Sequence, residues 1–244
     1  MPFDDIDFDN FDDAEQFSDI DEQESPTSAL TEALEYLVDK AGEMVTECRR
    51  TMTDGTPVCI PANEAAAERL SIRDYASIVE GVPGLFKEKE LTACCERIVA
   101  AQHEDGRLPE SIALDGTPTY SCQPNSDIPS TVDNPQFAIS IAWHTAKCLS
   151  ESQQFIGHVT DPLIRALRAL PRNPRTDLIY IDPTTPGQWA PCQFTQGIEK
   201  QGDIFFSSLL YVQACEQIAD LVQGLGRDGE ADMWRAEGQF VAKR

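Results

Sequence analysis

Apolar residues recur at three- and four-residue spacings along most of this chain, the mark of amphipathic helices. The first such stretch covers 28–48, through Leu30, Leu34, Leu37, Val38, Met44 and Val45, with Thr27 or Ser28 placed to cap it. A short helix follows near 74–81 and ends at Gly81-Val82-Pro83. The segment 88–103 reads as a helix with Leu91, Cys95, Ile98 and Val99 on one face, stopped by Gly106. In Asp133-Asn134-Pro135 the proline suits the first helical position and Asn134 the cap, so a helix starts there and runs to about Leu149. Further helices are expected over about 154–170, 203–223 and 229–243, and short strands around 57–60, 118–121 and 178–181. The pattern predicts an all-α protein of seven helices with a few β-ribbons in its loops. No short repeat period is visible, so a solenoid of tetratricopeptide type is not expected.

If neighbouring helices are antiparallel, every second helix points the same way. The helices starting near 74, 134 and 203 are then parallel, and each start carries a polar cluster: Arg73-Asp74, Asp133-Asn134, and Glu199-Lys200-Gln201-Gly202-Asp203. Two long loops, roughly 104–133 and 171–201, lead into the second and third of these. Loops of about 30 residues are uncommon in compact domains and are usually functional or disordered. These hold Tyr120, Tyr180 and Trp189 among many prolines, which suits a shaped loop. The clusters and loops should meet at one end of a helical array, where helix N-termini also project free N–H groups.

Charge narrows the partners. The chain has 42 acidic and 19 basic residues in 244, a formal net charge of -23. Nucleic acid and anionic membranes repel such a surface, so neither is an expected partner. No apolar run approaches the ~18–20 residues of a membrane-spanning helix. Residues 1–26 hold many acids and no Lys or Arg, and read as a disordered acidic tail ahead of a helical domain over 27–244. Phe3, Phe8, Phe11 and Phe17 in that tail could dock in a partner's groove. Asp5, Asp7 and Asp9 have the spacing of a calcium loop, but Asn10 and Gln16 stand where that loop needs Gly and Glu. The eight cysteines form no C-x-x-C pair and no zinc spacing with His; they read as free thiols in a reducing compartment, hence a cytoplasmic protein. No metal or cofactor is expected, since no P-loop, no G-x-G-x-x-G and no G-x-S-x-G occurs.

Asp74, Asn134 and Asp203 also suit simple capping or first-turn roles. Arg73 beside Asp74 serves equally as an ion pair or a fork for hydroxyls. Trp143 and Trp234 lie on helical stripes and read as core, whereas Trp189 in its Pro/Gly-rich loop is free to stack on a sugar face.

At these clusters the sequence resembles the bacterial and fungal six-hairpin glycosidases, which fold as an (α/α)6 barrel. The resembling stretches are Ser71-Ile72-Arg73-Asp74-Tyr75, Ala101-Gln102-His103-Glu104-Asp105-Gly106-Arg107-Leu108-Pro109, Asp133-Asn134-Pro135-Gln136-Phe137, and Lys200 through Tyr211. The likeness runs from about 70 to the C-terminus and implies a sugar-binding mouth. Arg73 and Asp74 would bind hydroxyls at its deep end, with Asp133 as candidate acid beside Asn134 and Gln136. Lys200 and Asp203 would form the opposite wall, and Trp189 a stacking platform. Two positions depart from the family pattern: Ile72 replaces an aromatic, and Gln196 follows Phe194-Thr195 where relatives tend to carry Asp.

Six hairpins need twelve helices and seven are expected, so the helices form part of an (α/α)6 toroid, to be completed by a missing C-terminal half or a protein partner. Glycoside hydrolysis needs two carboxylates across the scissile bond. Asp133 would supply one, and the other would come from a later hairpin. The expected function is therefore a glycoside hydrolase-like protein that binds or cleaves a small saccharide. The alternative is a non-catalytic helical module that binds a protein or saccharide.

Overall fold

The computed structural model describes residues 26–60, 68–120, 130–182, 184, 189–190 and 201–244. The acidic tail with its four phenylalanines, Cys122, Cys192, Phe194, Gln196 and Lys200 lie outside the described residues. The chain divides into two units, Met1–Lys40 and Ala41–Arg244. Helix α1 (Pro26–Cys48) begins in the first unit, where Leu30, Leu34, Leu37 and Val38 are all exposed.

The second unit opens with a small antiparallel ribbon, β1 (Arg49–Thr51) with β2 (Pro57–Cys59). β3 (Arg69–Ser71) leads into α2 (Ile72–Gly81), whose N-cap Ser71 accepts from the Asp74 N–H. A 3-10 turn at Pro83–Leu85 joins α2 to α3 (Glu88–Ala100). β4 (Ser111–Ala113) pairs antiparallel with β3 and with β5 (Pro118–Thr119). β6 (Ser130–Thr131) precedes α4 (Asn134–Cys148) and α5 (Gln153–Arg168). β7 (Tyr180–Ile181), β8 (Trp189–Ala190) and β9 (Gly202–Asp203) lie between α5 and α6 (Phe205–Gly224), and α7 (Asp228–Val241) closes the sequence of elements. β8 runs parallel to β6, and β9 pairs antiparallel with β7. The fold is all-α with short ribbons in its loops, and each of the seven expected helices forms within a few residues of its expected place. The three expected strands also form, as β2, β5 and β7.

Two boundaries shift for visible reasons. The helix expected from 203 begins at Phe205 because Gly202 and Asp203 pair with β7 first. The helix expected to reach 103 ends at Ala100 because the chain there folds into a turn against α5. Gln102 Nε2 donates to the carbonyls of Gly106 and Pro162, both at 2.9 Å. The turn keeps Gly106 at φ 95°, where a Cβ would meet the Arg165 carbonyl at 3.1 Å. Within it, Asp105 accepts from Arg107 Nε at 2.8 Å and lies 2.9 Å from His103 Nδ1. Partial burial alone would raise the Asp105 carboxyl, but these partners hold it down at about 2.

The helices of the second unit form hairpin-like pairs in two layers. α4 packs between α2 and α6, while α5 lies against α3, α4 and α6, and α7 packs on α6. Arg73 in the first turn of α2 bonds to Asp133 at the head of α4, and Gln136 in α4 bonds to Ser207 at the head of α6. With α2 packed on α4 and α4 on α6, these contacts between helix starts make the three helices run in the same direction, as the alternation of helices implies. The core between the layers is filled by fully buried side chains such as Ile98, Ile139, Leu163 and Leu167. Each such residue contributes about 1.5–3 kcal/mol relative to exposure. Among the described residues the pairs make an arc and not a closed ring, and α6 carries Phe205, Phe206 and Leu209 exposed. This is the partial-toroid arrangement at the level of fold.

Gly238 sets the close approach of α7 to α6: a Cβ there would lie 3.0 Å from Cys215 Cβ and 3.3 Å from the Val212 carbonyl oxygen. Gly238→Ala should therefore destabilise the protein by about 1–3 kcal/mol through overpacking, measured by urea unfolding. Gly229→Ala, with open space around it, should be neutral or mildly stabilising. The depressed Asp105 carboxyl contributes stability that is fully present above its unfolded value of about 4 and is lost as pH falls through about 2. Asp105→Asn should flatten that part of the acid limb of the stability curve, and an unchanged limb would remove Asp105 from the account.

Candidate functional site at the helix N-termini

The starts of α2, α4 and α6 meet in one polar cluster. Ile72, the first residue of α2, donates its N–H to the Glu110 carbonyl at 3.1 Å, and Glu110 donates its own to Thr119 at 2.7 Å. The β3–β4–β5 sheet thus carries the Glu110 side chain to the head of α2. β6 ends at Thr131, two residues before Asp133. Its parallel pairing sets Ser130 opposite Trp189 and Thr131 opposite Ala190, which brings the Trp189 backbone beside the same entry.

Arg73 is the hub. Its Nη2 donates to Asp133 Oδ1 at 3.1 Å and lies 3.7 Å from Glu110 Oε1. Its guanidinium also sits over the Phe137 ring at 5.3 Å, a cation–π contact that fixes the plane of the fork. Asp133 is wholly buried, as are Thr131 and Asn134. Asp133 takes the cap position of α4 without making a side-chain cap bond; its carboxylate turns to Arg73 instead. Asn134 is accordingly the first helical residue and Pro135 the second, one position on from the sequence expectation.

Thr131 Oγ1 lies within hydrogen-bonding distance of both Glu110 Oε2 and Asn134 Oδ1. One hydroxyl carries one hydrogen. Thr131 can donate to Glu110 and accept from the amide nitrogen of a rotated Asn134, which leaves Asn134 Oδ1 in the buried position now held by its nitrogen. Gln136 Nε2 donates to the Ser207 carbonyl at 3.2 Å. Gln136 Oε1 and Ser207 Oγ are both buried and lack a partner among the described residues. Orphaned polar atoms in a protein interior cost free energy unless water or a ligand serves them. Gln136 Oε1 and Ser207 Oγ are two such atoms, at the heads of adjacent helices.

Of the residues expected in the site, Arg73, Asp133, Asn134 and Gln136 are thus brought together. Asp74 is in the same first turn but exposed. Trp189 is half-buried beside β6 and packs on the hydrophobic core. Asp203 does different work: it accepts from Asn173 Nδ2 at 2.7 Å and from Thr176 Oγ1 at 3.1 Å, which ties the loop after α5 to the entry of α6. Lys200 is outside the described residues. The resembling stretch at 101–109 packs on α5, and the group it delivers to the cluster is the residue after it, Glu110. Nothing in the spacing of the 104–133 loop sets Glu110 apart from its other acids. Phe137 and Ser207 are likewise unmarked, since each reads as an ordinary helix position. Among the described residues no group of His, Cys, Asp and Glu is arranged to hold a metal ion.

No protein-family model matches the chain, and no curated protein does.

A buried ion pair that loses one member leaves an uncompensated charge in a poorly solvated place. Arg73→Met should therefore cost about 3 kcal/mol in denaturant unfolding, and Asp133→Asn in the Arg73→Met background should recover a large part of that loss. Recovery would show that the charge of Asp133, and not the volume of Arg73, sets the cost.

Proposed function

We propose that the chain is a glycosidase-like helical protein that binds a small saccharide at the heads of α2, α4 and α6. The observation that carries this reading is the polar cluster shared by three parallel helix starts. A sugar presents hydroxyls that donate and accept at neighbouring positions. The cluster sets a donor fork on Arg73 and side-chain amides on Asn134 and Gln136 beside acceptors on Glu110, Gln136 and Ser207. Trp189, whose backbone pairs with β6 at this entry, would supply an apolar ring of the kind that stacks on a sugar face. Asp74 extends the polar rim, and Asp203 holds the loop behind it. Lys200 would close the opposite wall. A protein-binding module would use an exposed surface; this cluster is inward-facing, which favours a small ligand.

Binding is favoured over hydrolysis. Asp133 Oδ1 is already engaged by the Arg73 guanidinium at 3.1 Å. Asp133 is thus better suited to holding Arg73 than to protonating a leaving oxygen. The hydrolase reading rests on one specific feature: Glu110 and Asp133 both lie within 4 Å of the same guanidinium nitrogen, so two carboxylates share one neighbourhood.

The test is thermal unfolding with and without a panel of glucosides, mannosides and disaccharides. A ligand of the folded state raises the melting temperature by mass action. One sugar class should do so, and Trp189→Ala should lose most of the shift. A panel that leaves the melting temperature unmoved would overturn the proposal. Aryl glycosides offered in parallel should not be cleaved. Cleavage abolished by Asp133→Asn, with sugar binding spared, would establish hydrolysis instead.

A further inference from the structure

A second candidate site lies on the outer layer, away from the helix starts. Between the C-terminal end of α5, the middle of α6 and the exposed side of α7 is a cavity of about 570 Å³. That volume is in the range of small-molecule sites, about 300–1,000 Å³. Leu167, Met233 and the Trp234 ring give it an apolar lining. Met233 is 63% exposed, so its thioether stem is available at the cavity edge.

Two guanidinium groups stand over this lining. Arg168 lies 5.3 Å from the Trp234 ring centre, and Arg172 lies 5.1 Å from that of Tyr211. An aromatic face fixes the plane of a guanidinium without consuming its N–H donors, which leaves them free for an anion. Arg172 has spent most of its capacity: it bonds to Glu237, to the Asp177 carbonyl at 2.9 Å and to the Tyr211 hydroxyl at 3.3 Å. Tyr211 in turn donates to Glu237 at 3.3 Å. Burial pushes the Tyr211 phenol well above its ordinary value, so it keeps its proton at neutral pH. Arg168 differs. Its carboxylate neighbour, Glu230, is 3.9 Å away, and its side chain is 60% exposed. It is the cation of the cavity with donors to give.

The local charge runs against the chain as a whole. Residues 162–176 hold Arg165, Arg168, Arg172 and Arg175 and no acid, in a chain with 42 acids and 19 bases. Of these, Arg168 and Arg172 line the cavity, and the Glu237 carboxylate that lines it beside them is bonded to Arg172.

We propose that this cavity binds an aromatic carboxylate, its ring laid against Met233 and Ala236 and its carboxylate forked by Arg168. Arg172, locked to Glu237, forms the wall that fixes the ring's edge. The site is independent of the saccharide cluster, and either can fail alone.

The probe is 2-naphthoate, titrated calorimetrically into the full chain, with 2-naphthalenemethanol as its neutral isostere. Naphthoate should bind at least tenfold more tightly than the alcohol. Arg168→Met keeps the aliphatic stem over Trp234, and it should remove most of that preference while leaving alcohol binding in place. Met233→Glu, at an exposed position, should weaken both ligands and tests the lining without touching Arg168. Equal affinities for the two compounds, no binding of either, or a preference that survives Arg168→Met would each overturn the proposal.

Discussion

The bond between Arg73 and Asp133 is the constraint on which the rest of the second unit depends. It joins the first turn of α2 to the head of α4 across a stretch where neither partner has full access to water. A pair buried this deeply costs much desolvation, so it persists only where geometry and further bonds compensate. Glu110, Thr131, Asn134 and the Phe137 ring supply that surround. The pair also specifies direction: α2 and α4 can bond head to head only if they run parallel. Gln136 extends the same logic to α6. Hydrophobic burial would hold these helices together in several relative directions, because it is not directional. The polar heads select one.

That division of labour explains what could be read from the sequence. The helices were legible because each buries a continuous stripe, so Leu163 and Leu167 in α5, or Ile98 in α3, recur at helical spacing whatever lies beyond them. The start of α4 was legible because Pro135 admits few alternatives. Arg73 and Asp133 were legible as clustered polar groups at helix starts. Glu110 was not. It reaches the cluster through the pairing of β3, β4 and β5, strands of two or three residues whose partners are set by long-range contacts and leave almost no periodic trace. Asp203 shows the converse. Its type and position fit the site, yet its carboxylate is taken by Asn173 and Thr176, which lie in a loop whose fold no spacing rule predicts.

The cap of α4 shows why a one-residue shift matters. With Asn134 as cap, Asp133 would lie outside the helix and free to face the mouth. With Asp133 at the cap position, its backbone carbonyl accepts the Phe137 N–H at 3.2 Å and its side chain is committed inward, to Arg73. The candidate acid of the sequence is thereby placed against a guanidinium. The same amino acid at the same helix start changes chemical meaning according to which partner claims it.

Two arginines of the fold are used in opposite ways. Arg73 is enclosed and answered by two carboxylates among the described residues. Arg168 is open, held flat on an indole and only loosely answered, so the surface it organises suits an anion. Both follow from one property of the guanidinium: its plane can be fixed by an aromatic ring while its edge stays available. Phe137 does this for Arg73 and Trp234 for Arg168. What differs is the number of carboxylates within reach of the edge, and that number separates a group that builds the fold from one left to meet something else.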